Sequence, residues 1–154
     1  MQKQHHHTSV PTIPKIPFLL AFIAIIPLIV AAFGLKYFPD SYDWKHFFVS
    51  FCVIISAFLG GIHWGFATIH YHKKGPLPKR LILWSNIIAL GSLIALLTKS
   101  FNIAILIVFT ILMVQWIVDS LILSDEIIPS WFKQIRNVMS AMIMIVFIFV
   151  LLTH

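Results

Sequence analysis

The sequence predicts an all-α polytopic membrane protein, a bundle of five transmembrane helices, and three observations carry that prediction. Hydrophobic residues make up 60% of the 154-residue chain and charged residues 10%, with a mean hydropathy of +0.96; a soluble domain carries about 25% charged residues. Five apolar stretches, residues 17–35, 47–69, 81–97, 103–122 and 135–152, approach the roughly 20 residues that a helix needs to cross hydrocarbon. Hydrocarbon offers the backbone no water, so each stretch must satisfy its own amides as a helix. The connections are too short for a second domain, which leaves a polar tail, residues 1–15, and one five-helix domain, residues 16–154.

The tail carries Pro11, Pro14 and a three-histidine tract at residues 5–7. Nothing near the tract completes a metal site, so it reads as solvated. The first span exceeds the 7–15 residues of a signal-peptide core and lacks a small-x-small cleavage site. Pro17 suits a first helical turn, whereas Pro27 falls mid-span, where a proline removes a hydrogen bond and kinks the helix. In the connection 36–45, Tyr37, Tyr42 and Trp44 suit an interfacial aromatic belt. The second span holds the lone cysteine, Cys52, which reads as a small core residue, and the run His63 sits in. The connection 71–80 combines Lys73, Lys74, Lys79 and Arg80 with Gly75, Pro76 and Pro78, a bent basic loop for anionic headgroups. The connection 123–134 carries Asp125, Glu126 and Pro129 ahead of Trp131 and Lys133.

The net charge of +6 does not call for nucleic acid, because the basic residues sit in the connections, where they set topology. With the amino terminus cytoplasmic, that side receives Lys3, Lys15, Lys73, Lys74, Lys79, Arg80, Lys133 and Arg136, and the other side only Lys36, Lys45 and Lys99. The expected arrangement is amino terminus in and carboxyl terminus out. With no Arg-rich presequence, the expected address is a bacterial inner membrane.

Two patterns bear on function. Ala57, Gly61 and Gly65, with Gly60 nearby, form a small-x-x-x-small stripe on which another helix can approach closely, expected first as packing within the bundle and second as an oligomer or partner interface. The second is a set of polar residues within the spans. Counting along the helices puts His63 roughly 7 Å to the cytoplasmic side of the midplane, with Asn86, Gln115 and Asp119 roughly 4–10 Å from it on the same side. Arg136 enters the fifth span there. A lone ionised side chain in the bilayer is costly, so Asp119 should pair with Arg136 or His63, as a clamp fixing helix register or as a ligand or proton site. His63 and Asp119 alone are too few for zinc, and no second deep histidine serves dihistidine haem, so neither metal nor cofactor is expected. Neither a nucleophile–base–orienter triad, a phosphate loop nor paired catalytic carboxylates can be assembled, which argues against an enzyme.

Residues 56–67, reading SAFLGGIHWGFA, resemble the glycine-rich signature of small bacterial and mitochondrial membrane proteins related to transmembrane protein 69. Residues 115–119, QWIVD, are similar to the family's Gln-aromatic-x-x-Asp element, and residues 131–136 to its aromatic-to-arginine entry into the fifth span. The resemblance implies five spans, no established activity, and a basic residue, commonly arginine, at the position of His63. A permanent cation there would make a counter-charge to Asp119 the shared role.

Three functions follow as expectations. The first is a non-enzymatic accessory or assembly factor whose partners are membrane lipids and a larger complex or a second copy. The second is a binding module for a quinone, lipid headgroup or other small amphiphile, lined by His63, Asn86, Gln115 and Asp119. The third is a proton or ion conductor through His63 and Asp119, disfavoured because no repeated half or pair of broken helices is visible.

Overall fold

The computed structural model describes residues 14–72, 76–122 and 129–153. The histidine tract at residues 5–7 and the rest of the tail before Pro14, Lys73, Lys74 and Gly75, Asp125 and Glu126, and His154 lie outside the described residues. The described chain forms five helices and no strand: α1 (Lys15–Tyr37), α2 (Trp44–Ile69), α3 (Leu77–Leu97), α4 (Phe101–Ile117), which continues as a π-helical segment (Val118–Ile122), and α5 (Ser130–Thr153). All five are long and apolar enough to cross a membrane. At 1.5 Å per residue they reach roughly 30–39 Å, enough for the hydrocarbon layer with its flanking turns. The protein is a multi-pass helical membrane protein.

The helices run further than the apolar stretches that announced them. Asp43 caps α2 by accepting from the His46 backbone amide at 3.0 Å, so helix starts at Trp44 among polar residues. Pro78 occupies the opening turn of α3, where its missing amide hydrogen costs nothing. At the start of α5, Ser130 to Gln134 are helical where a connection was expected. Trp44 does more than anchor the interface: its indole donates to the Phe38 carbonyl at 3.0 Å and to Ser41 Oγ at 3.2 Å, fastening the turn between α1 and α2. A Cβ at Gly34 would overlap that indole.

The end at which α1 begins is here called proximal and the other distal. α2 is the hub, packing most extensively on α3 and also on α1 and α4, while α1 is seated on α2 and α5. No Cα of α2 comes within 8 Å of one of α5. In the distal half the gap between them is filled by aromatic rings, Phe48 edge-on to Phe147 at 5.4 Å and Phe109 at 5.2 Å from Phe147, with Leu28, Ala31, Ala32 and Leu35 of α1 packed into the same core. In the proximal half a single ring pair spans it among the described residues, Phe66 of α2 edge-on to Phe132 of α5 at 6.0 Å. α1 buries no residue before Ile25, and Pro27 lies where its packed half begins.

The buried residues of α2, Phe48, Val49, Cys52, Val53, Ser56, Gly60, His63 and Ala67, follow one helix face. This corrects the expectation for the glycine stripe. Ala57, Gly61 and Gly65 are turned outward, and a Cβ at Gly61 or Gly65 would meet nothing within 4 Å. Only Gly60 packs internally, where a Cβ would lie 2.9 Å from Ile88 Cγ2 and 3.6 Å from the Ser85 carbonyl oxygen of α3. Gly60 and Gly61 are neighbours in sequence, but 100° of helix rotation separates a packed position from an open one.

Candidate functional site

Asp119 sits in the π-helical segment ending α4 and is 2% exposed. Its Oδ2 accepts from Arg136 Nε of α5 at 2.8 Å and its Oδ1 pairs with His63 Nε2 of α2 at 2.5 Å. All three residues are buried. An ionised carboxylate only accepts, so the imidazole carries its proton on Nε2. One carboxylate thus bridges two basic side chains on different helices, a short charge-assisted arrangement of buried groups. Arg136 lies six residues after Ser130 and His63 six before Ile69, each about 9 Å along its helix from the proximal end.

Around the clamp, Gln115 Nε2 donates to the Ser56 carbonyl at 3.1 Å, Ser92 Oγ to Ser56 Oγ at 3.0 Å, and Ser85 Oγ to the Gly60 carbonyl at 2.7 Å. α2 is therefore stitched to α3 and α4 by buried polar contacts. On the other face of α4, Asn137 Oδ1 accepts from Trp116 Nε1 and from Ser120 Oγ, both at 2.8 Å, joining it to α5. Buried and without a partner among the described residues are His63 Nδ1, Trp84 Nε1, Gln115 Oε1, Arg136 Nη2 and Ser140 Oγ.

Of the residues expected in the polar layer, His63, Asp119 and Arg136 are in direct contact and Gln115 is one turn from Asp119. Asn86 is not with them. It is exposed, and its Nδ2 donates to the Ile82 carbonyl of its own helix at 2.8 Å. The inward residues of α3 are Leu81, Ser85, Ile88, Ser92 and Ala95; Asn86 follows Ser85 and is rotated away from them. His70, on the same heptad face as His63, bonds back to the Phe66 carbonyl at 2.9 Å instead. Among the described residues no group of three or more His, Cys, Asp and Glu is placed to hold a metal ion.

Beside the clamp, between the unpacked first half of α1 and the widely spaced α2 and α5, lies a groove of about 600 Å³. Leu20 and Ala24 of α1, Phe58 and Ile62 of α2, and Trp131 and Met139 of α5 are among its walls, and Arg136 is its one charged lining residue. Leu20, Ile54 and Phe58 are 59–69% exposed on its rim, so it opens sideways toward lipid. The groove left no trace in the sequence, since it is made by the spacing of helices. The serines that stitch α2 to α3 could have been found, because Ser85 and Ser92 lie seven residues apart on one helix face.

The fold and the site define a five-helix membrane protein with a desolvated carboxylate clamp beside a lipid-facing groove. The chain matches the family described as protein of unknown function (DUF3429) over residues 13–152, and it belongs to that family. No curated protein and no solved structure matches it.

Proposed function

We propose that this protein is a non-enzymatic binding module that takes a small amphiphile from the bilayer into the groove between α1, α2 and α5. The observation that carries the reading is a groove of about 600 Å³ with apolar walls and a single charged lining residue, Arg136. That volume is in the ligand-pocket range of about 300–1,000 Å³, and such pockets combine apolar walls with a few placed polar groups. Asp119 holds the arginine against one wall while the exposed rim admits a hydrocarbon tail without passage through water. The proposed setting is a bacterial inner membrane, and the distribution of lysine and arginine supports a cytoplasmic amino terminus there. Residues 56–67 and 115–119 support kinship with transmembrane protein 69.

Native mass spectrometry of gently extracted protein tests the reading. One amphiphile per chain should survive detergent washing, and Ala24→Phe, which fills the groove from an exposed position, should remove it while the helices stay folded. A wild-type chain that releases every adduct as readily as bulk lipid would refute the proposal.

An accessory or assembly role is supported by a different surface, the outward Ala57, Gly61 and Gly65, where another helix could approach the backbone of α2 closely. Conduction is weaker. Beyond Ser56 and Ser92 the described distal core is built of apolar side chains such as Leu28, Ala31, Phe48 and Phe147.

A further inference from the structure

The groove's polar equipment consists of donors. Of its lining side chains only Arg136 and Trp131 carry nitrogen or oxygen, and guanidinium and indole both donate without accepting. A ligand headgroup complementary to them must bring an acceptor oxygen. Arg136 lines the groove, and of its guanidinium Asp119 engages Nε, while Nη2 has no partner among the described residues.

Charge decides which kind of acceptor fits. Arg136, the one charged lining residue, is already matched by Asp119 at 2.8 Å. A carboxylate or phosphate entering the groove would bring an uncompensated charge into hydrocarbon. A neutral carbonyl would not.

We infer, resting on the amphiphile-binding reading above, that the groove takes an uncharged amphiphile whose carbonyl oxygen accepts a hydrogen bond from Arg136. A quinone and a neutral glycerolipid ester share this chemistry.

The test uses the full chain in phosphatidylcholine nanodiscs, with affinities read by displacement of a fluorescent fatty ester. Methyl oleate and oleate have the same tail and differ in headgroup charge. At a pH where the acid is ionised, the ester should bind and the acid should bind about tenfold or more weakly. Arg136→Lys keeps a cation beside Asp119 but loses the planar fork, and should weaken methyl oleate about tenfold. Oleate binding as tightly as its ester, or an undiminished affinity in Arg136→Lys, would overturn the headgroup assignment and leave the binding module standing. If no probe displaces the reporter from wild type, or Ala24→Phe binds all of them as wild type does, the binding reading itself falls. Should Arg136→Lys lose its helicity, the ester and acid comparison on wild type decides alone. A short-tailed benzoquinone and dioleoylglycerol, run side by side, identify the source of the carbonyl by which of them binds more tightly.

Discussion

Asp119 concentrates the electrostatic risk of this molecule in one side chain. Replacing it with asparagine keeps the shape but leaves the Arg136 guanidinium facing a neutral amide, and breaking one partner of a buried pair costs about 3–5 kcal/mol. Asp119→Asn should therefore lower the thermal stability of the detergent-solubilised protein. Adding Arg136→Gln should recover more of that loss than adding His63→Gln, because the arginine cannot shed its charge and the histidine can. Equal, strictly additive losses in the two double variants would show that the carboxylate bridges neither residue energetically. The pairing of a buried aspartate with a basic residue could be read in the sequence from the cost of an isolated charge, but not that one carboxylate serves both. That depends on the π-helical segment, whose altered hydrogen-bond register positions Asp119 and leaves no signature in the apolar pattern.

At the scale of elements, α2 has two faces that the sequence interleaves. The face built on Gly60 packs against Ile88 and Ser85, and the face built on Gly61 and Gly65 stands open. Gly60→Leu should destabilise the monomer, with overpacking of about 1–3 kcal/mol or more. Gly61→Leu and Gly65→Leu should leave the monomer's melting temperature unchanged and act only on whatever associates with it, visible as a lost partner or oligomer in mild detergent. A folded, stable Gly60→Leu with a broken Gly61→Leu would reverse the assignment of the faces. Helix periodicity made the stripe legible as a line of small residues; which line faced inward depended on the partners that α3 and α4 supply, above all Ser85, Ile88 and Gln115. Asn86 failed for the same reason, since depth can be counted along a chain and azimuth cannot.

For the whole molecule, five spans with eight basic residues proposed inside and three outside predict a reporter active on the outer side when fused after His154 and active in the cytoplasm when inserted near Gly75. The reverse pattern would invert the molecule without moving the clamp and the groove to different ends of the bundle. Span number and alternation followed from hydropathy because hydrocarbon permits no other backbone solution; the groove did not, because a space between helices has no residues of its own. The seating of the clamp also has a consequence in the order of synthesis. His63 is made in the second span, Asp119 in the fourth and Arg136 in the fifth, so the aspartate enters the bilayer after its histidine and ahead of its arginine. His63 is then the first of the two clamp partners that the fourth helix can meet. A chain halted before Ser130 should integrate its fourth span less efficiently with His63→Leu than without it, and the difference should shrink once the fifth helix is allowed to follow.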